Sequence, residues 1–385
     1  MSTIVPRQFL IFFCLLLSAF APVASGADDA WALPLKGAEY GAFFDVTLAG
    51  STVVAVGTTN HRHVPPYEGD ALLVWVDLEG NVLSERTWGG DGYEQAWGIE
   101  AAPDGGLYIF GETSSRGAGS RDLFLLRTDA DGDEVWSTTY GTPGREWPFG
   151  MLLLRSGNLF LYGRTDASSG RGEDRYAVCV GPDGRVLWEH TAPSELDEII
   201  VGAVEAEDGA LVLSLSYGQD PKLIRLTEQG EVVWEIQHEL LGWQFGSSIA
   251  QMPSGDFLLA GFSMASSGSR QADVWLSRLT SAGDLLWERS FGRPTEDDYA
   301  QSLLRTSDGA YVIGGLGNGL PLFKVNESGE VLWEARPAGS NVYSAQRILE
   351  LEDGSLVVAA LEQVVPGRSY DALLLRVDEQ GRLDR

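Results

Sequence analysis

Residues 89–141 read GGDGYEQAWGIEAAPDGGLYIFGETSSRGAGSRDLFLLRTDADGDEVWSTTYG, and residues 242–292 read GWQFGSSIAQMPSGDFLLAGFSMASSGSRQADVWLSRLTSAGDLLWERSFG. The two stretches share one plan. Each has four short runs rich in β-branched, aromatic or aliphatic residues, separated by Gly, Pro, Asp and Ser. In the first copy the runs are AWGIEAA, LYIFGET, DLFLLRTD and EVWSTTY. Such runs read as strands, and the Asp-Gly and Ser-Gly pairs between them suit tight hairpins, where glycine takes positive φ without steric cost. No helical periodicity of useful length interrupts them.

Working outward, the unit recurs along the chain. One glycine turn centres on Gly50, Gly105, Gly157, Gly209, Gly255, Gly309 and Gly354. A second centres on Gly80, Gly132, Gly184, Gly230, Gly283, Gly329 and Gly381. Each series has seven members at intervals of 45 to 55 residues. Four antiparallel strands repeated with a period near 50 residues is the mark of propeller blades, because a lone four-stranded sheet cannot bury both faces and stacking round a ring can. The expected fold is therefore all-β, a seven-bladed β-propeller of four-stranded antiparallel blades.

The second turn is followed, four residues on, by Trp136, Trp188, Trp234, Trp287 and Trp333, an indole placed to wedge against the next blade. The first unit has Ser84 there instead; either that blade packs less well or Trp88 fills the space. The last unit ends at VDEQGRLDR, before its tryptophan. The segment ADDAWALPLKG supplies the missing piece, with Trp31 and Gly37 matching VWSTTYG, so the N-terminal strand is expected to complete the seventh blade and leave no open edge between first and last blades.

The unit resembles the tandem propeller repeats of exported bacterial and archaeal proteins, on stretches such as Asp308-Gly309-Ala310-Tyr311-Val312, Gly111-Glu112-Thr113-Ser114-Ser115 and Asp273-Val274-Trp275-Leu276. The resemblance covers about residues 31–385 and implies fold and export; it implies no defined reaction. Quinoprotein-type propellers use a similar turn but carry adjacent cysteines. Sialidase-type repeats place Trp three residues after the glycine, where this chain places it four after.

The first residues agree with export. Arg7, the apolar run Phe9–Phe20 and the small residues Ala24-Ser25-Gly26 read as a secretory signal over 1–26, leaving 27–385 as one propeller domain, secreted or periplasmic. The run is too short for a membrane helix, which takes about 20 residues, and no later segment qualifies, so no membrane span is expected. Beyond the signal, Cys179 is the single cysteine, read as a small buried hydrophobe. With 27 Lys and Arg against 55 Asp and Glu, the formal charge is −28. Such a surface repels phosphate backbones and excludes nucleic acid as a natural partner. A monomer is expected.

Chemistry is expected on the longer connections, second strand to third and blade to blade. These loops carry Arg62, Arg116, Arg121, Arg171, Arg270 and Arg368 in a chain poor in base. One reading is an arginine rim for carboxylate or sulfate groups; the other is that repeated glycine-serine loops need solubilising residues. Asp70, Asp122, Asp174, Asp273 and Asp371 precede the third strands, either as a Ca²⁺-binding ring or as carboxylates that each accept N–H bonds from their own loop. His61 and His63, with Asp70 nearby, form the one tight cluster suited to Zn²⁺ or Cu²⁺. His190 and His238 are expected at the surface. No cofactor other than a possible Ca²⁺ is implied, and no nucleophile elbow, P-loop or dinucleotide fingerprint stands in a fitting context. The leading expectation is a non-enzymatic binding or scaffold module for a glycan, peptide or envelope protein. The alternative is a polysaccharide lyase or hydrolase with carboxylates and arginine at the channel mouth.

Overall fold

The computed structural model of the protein describes residues 30–35, 41–59, 69–166, 173–192, 198–217, 220–238, 243–264, 271–339, 342–365 and 369–383. Among these are 28 strands, β1 to β28 in chain order. They form seven antiparallel four-stranded blades. The first blade runs β2 (Ala42–Ala49), β3 (Thr52–Thr58), β4 (Ala71–Val76) and β5 (Val82–Trp88), from the axis outward. The innermost strands of the others are β6 (Glu94–Ala101), β10 (Glu146–Leu153), β14 (Glu198–Glu205), β18 (Trp243–Gln251), β22 (Tyr299–Arg305) and β26 (Val342–Glu350). Each inner strand contacts the next, and β26 returns to β2, so the ring is closed.

The seventh blade has the order β26, β27 (Leu356–Val365), β28 (Ser369–Val377) and β1 (Trp31–Leu35). Its outer strand comes from the other end of the chain, pairing Trp31 with Arg376 and Leu35 with Ala372. The Trp31 indole N–H donates to the Leu78 carbonyl (2.9 Å). Arg376 donates to the same oxygen (2.8 Å). Both ties cross from the last blade to the first.

The apolar core is not one body but seven clusters, one in each gap between neighbouring blades. This follows from the sheet itself: successive side chains point to opposite faces, and each face meets a different neighbour. Third strands are therefore apolar on both faces, as in Asp122–Thr128 and Asp174–Val180, which are buried throughout. Cys179 is among these buried residues.

Tryptophan seals every gap. The ring of Trp31 lies under Gly80, where a Cβ would stand 2.8 Å from Cδ2. Gly80 has φ +88°, so only glycine suits both the turn and the contact. The same contact recurs as Trp136 on Gly184, Trp188 on Gly230, Trp234 on Gly283, Trp287 on Gly329 and Trp333 on Gly381. The seventh contact corrects the reading of the first blade. Trp88 does not fill the space opposite Ser84. Trp75, the cross-strand partner of Ser84, does, with its ring 2.6 Å from where a Cβ of Gly132 would be. Trp88 instead packs on Phe124 and donates its N–H to Glu134.

Trp75 sits where other third strands carry a base. Arg127, Arg225, Arg278, Lys324 and Arg376 pair with Asp104, Asp208, Asp256, Asp308 and Asp353 of the first glycine turn. In the two blades whose turn lacks that aspartate, at Gly50-Ser51 and Ser156-Gly157, the base is missing too, replaced by Trp75 and Cys179. Acid and base are present together or absent together, as expected if each is kept to satisfy the other.

Two outcomes follow. Trp31→Ala should cost about 3–5 kcal/mol, as large-to-small changes at buried aromatics do, read as a fall in the urea midpoint; an unchanged midpoint would refute the closure. Trp75→Ala should lower the midpoint comparably, and adding Ser84→Trp to it should restore much of the loss by returning the indole from the neighbouring strand.

Candidate functional site

Two neighbouring regions gather charged and aromatic groups. The first is the long-loop face of the second and third blades. Arg116 lies over Trp88 at 4.5 Å and Arg121 over Tyr93 at 4.9 Å. Arg145 and Arg164 lie over one ring, Trp147, at 4.1 and 4.5 Å, and Arg164 also approaches Phe149 at 5.7 Å. A parallel bridge between Arg121 and Arg145 brings the loop of one blade against the start of the next. Trp147 and Arg164 face each other as cross-strand partners. Guanidinium over an aromatic face is attractive through the ring quadrupole, so the four arginines are held in place.

Glu112 underlies this cluster. Arg121 donates to both its carboxylate oxygens at 3.0 Å, and its side chain is 3% exposed. Burial pushes its carboxyl pKa up, against the pull of Arg121, Arg145 and Arg164. Arg164 also pairs with Glu173.

The second region is the axial channel. Every inner strand carries a β-bulge, and β26 carries two, between Val342 and Ser344 and between Ala345 and Arg347. Bulges re-aim side chains. Asp45 of β2 accepts the N–H groups of Val46 (2.8 Å) and Ile99 (3.0 Å), and Arg347 Nε lies 3.3 Å from its Oδ1. Burial raises the Asp45 pKa despite those partners. Burial likewise pushes Glu100 up to about 7, with Arg347 opposing and Asp45 adding to the shift. Tyr162 crosses Gly150, whose added Cβ would fall 2.2 Å from the hydroxyl. Burial pushes that phenol up to about 12, so it stays a neutral donor. Phe44 and Trp97 stack nearby, ring centres 4.6 Å apart.

Of the sequence-derived candidates, Arg116 and Arg121 enter the first region. They are not free cations on a rim: both are stacked, and Arg121 is locked to Glu112. Arg62, Arg171, Arg270, Arg368, His61 and His63 lie outside the described residues. Asp70 is half-buried; burial and the neighbouring Glu94 raise its pKa. Among the described residues no three His, Cys, Asp or Glu side chains converge as metal ligands. Asp122 accepts the N–H groups of Ala118 and Gly119, both at 3.0 Å, which is the loop-fixing role rather than a cation ring. His190 and His238 are half-buried rather than surface groups, and burial lowers both pKa values.

The residues that sequence reading missed are Arg145, Arg164, Trp147, Asp45, Glu100, Tyr162 and Arg347. The Arg-x-Trp spacing of Arg145 and Trp147 was a usable signal for the first region, since i and i+2 share a strand face. The axial group comes from four strands in four blades and left no local trace.

Solved structures similar to the chain include two described as propellers. The Dos1 propeller is 11% identical, over 89% of this chain and 79% of that one, with a TM-score of 0.53. Puromycin hydrolase is 17% identical over 90% of this chain and 53% of that one, TM-score 0.57. The β-propeller domain of the Trilobed protease from Pyrococcus furiosus is 13% identical over 88% and 94%, TM-score 0.51. Identities this low speak for the fold alone. No curated protein sequence matches. A family model, PQQ_2, described as outer membrane protein assembly factor BamB, matches residues 124–380, more than half of the chain. With that match over more than half of its length, the chain belongs to the PQQ_2 family, described as outer membrane protein assembly factor BamB.

Proposed function

We propose that this protein is an exported binding scaffold that engages another envelope protein through the long-loop face of its second and third blades. The observation that carries this is the set Arg116, Arg121, Arg145 and Arg164, each seated on an aromatic ring. Arginine, tryptophan and tyrosine are the residues that dominate binding energy at protein interfaces. A pre-stacked guanidinium loses little further freedom when it meets a carboxylate. In a chain of charge −28, four arginines together make a local site for an acidic segment of a partner. The family description, an assembly factor for outer membrane proteins, is consistent with a polypeptide partner.

The axial group supplies one arginine, one tyrosine and two carboxylates, which favours a second reading as a polysaccharide lyase or hydrolase. Its chemistry supports that reading less. A phenol at about 12 is a weak base near neutrality, and Asp45 is committed to two N–H groups and Arg347. Glu100 alone remains as an acid or base, whereas hydrolysis of glycosides takes two carboxyl groups.

The test is site-specific photo-crosslinking in exporting cells. A crosslinker at Arg116 or Trp147 should capture a discrete envelope protein, and one at Asp129, on the opposite short-turn face, should not. Arg145→Ala with Arg164→Ala should weaken capture from position 116 by roughly ten-fold or more, as loss of two interface arginines would. Equal capture from both faces, or none from either, would sink the proposal. Release of reducing ends or unsaturated uronate from acidic polysaccharides would instead favour the enzyme.

A further inference from the structure

Arg347 of β26 is a channel residue whose hydrogen-bonding capacity is largely unspent among the described residues. Among the described residues, Asp45 is the single side chain paired with it, and through Nε. The side chain lies within the ring, opposite Asp45 of the first blade, and is 48% exposed. A guanidinium in that position stands in a wet lumen with its two terminal nitrogens unclaimed. The second bulge of β26 falls just before it, between Ala345 and Arg347, which turns the residue toward the axis. Asp45 is itself fixed by the Val46 and Ile99 N–H groups, so the guanidinium is clamped at one end and presents its fork at the other.

Opposite stand two further polar groups within reach of the arginine's charge. Tyr162 is brought in over Gly150 from the third blade. Glu100 comes from β6 of the second blade. The planar fork of arginine matches a carboxylate with two parallel bonds, and a neutral phenol adds a donor.

We propose that the axial channel is a binding site for a single carboxylate, in which the terminal nitrogens of Arg347 take the ligand's carboxylate, Asp45 positions the guanidinium, and Tyr162 and Glu100 complete the site from two other blades. The ligand class is a monocarboxylate, either a uronic acid or an acidic amino-acid side chain. This site is separate from the arginine–aromatic face and does not depend on the function proposed for it.

Glu100 makes the binding depend on pH. The charged groups that act on it are Arg347 of β26 and Asp45 of β2; Tyr162 of the third blade is neutral. Below about 7 the carboxyl is protonated and donates; above it, a second negative charge faces the ligand. The sign for stability is the same. A carboxyl whose folded pKa is raised from 4.5 to about 7 contributes stability below the lower value, and that stability is lost as pH rises through the higher one.

The experiment is calorimetric titration of the full protein with D-glucuronate, with the α-amide of N-acetylglutamate, whose one carboxylate is the side chain's, and with neutral glucose, at about pH 6 and about pH 8. At the lower pH a carboxylate should bind and glucose should not, and whichever carboxylate binds more tightly names the source. Affinity should fall several-fold at the higher pH. Arg347→Gln should weaken binding by roughly ten-fold or more, and Arg347→Lys, which keeps charge but loses the fork, by nearly as much. Glu100→Gln should remove the pH dependence of binding and raise the melting temperature relative to wild type at the higher pH only. Arg382→Ala, at an exposed short turn of the seventh blade, should leave all of this unaltered. Failure of both carboxylates to bind at the lower pH, or wild-type affinity in a folded Arg347→Gln variant, would overturn the proposal.

Discussion

The contact between an indole and a turn glycine holds this molecule together. Backbone hydrogen bonds between blades are few and lie at single points: Glu94 N–H to Gly69 O, Glu146 N–H to Arg121 O, Glu198 N–H to Glu173 O and Asp298 N–H to Ala272 O, with Leu316 paired to Ser344 between the sixth and seventh sheets. Cohesion across each gap must come from apolar contact and from side chains that reach over. The tryptophan of one blade covers the end of the gap, and the glycine of the next accepts it because no Cβ stands in the way. The positive φ that the tight turn imposes and the space that the indole needs select the same residue. The first blade shows which of these matters. There the tryptophan has moved to the neighbouring strand, as Trp75 opposite Ser84, and still reaches its glycine. What is kept is the indole's place in the gap, not the position in the repeat that delivers it.

Closure follows from the same contact. Seven gaps need seven indoles, and six blades provide only six. Trp31 is the seventh, and it can serve because β1 pairs with β28 in a register that sets it over Gly80. Drawing the ring shut presses seven inner strands round a narrow axis. Their bulges, one in each and two in β26, relieve the crowding and turn side chains into the lumen. Polar groups sent there need partners, and the backbone of the next blade provides one in the Ile99 N–H that Asp45 accepts. Burial with incomplete compensation is what shifts these carboxyls upward. The chemistry of the channel is thus a consequence of how the ring closes.

The two faces divide the work. On the short-turn face, acids and bases such as Asp208 with Arg225 and Asp308 with Lys324 are matched within single blades and consumed in holding hairpins. On the long-loop face, Arg121 meets Arg145 across a blade boundary, and like charges are tolerated there because each ring and Glu112 offset them. These stacked arginines lie in the second and third blades.

From the sequence by itself came the period, the four strands of each unit, the count of seven and the sharing of the last blade between the two chain ends. All of these rest on local signals, glycine turns and tryptophan spacing, that act within a few residues and repeat often enough to be counted. The loop-fixing reading of Asp122, one of two that the sequence offered, and the loop placement of Arg116 and Arg121 rest on the same local signals. Only the tertiary structure decided that Trp75 replaces the missing indole, that Arg121 and Arg145 are neighbours, and that Asp45, Glu100, Tyr162 and Arg347 share one channel. These residues lie in different repeats, up to about 300 positions apart, and what unites them is the curvature of the ring. A side chain's neighbours across an axis are set by the geometry of closure, which no local pattern of residues records.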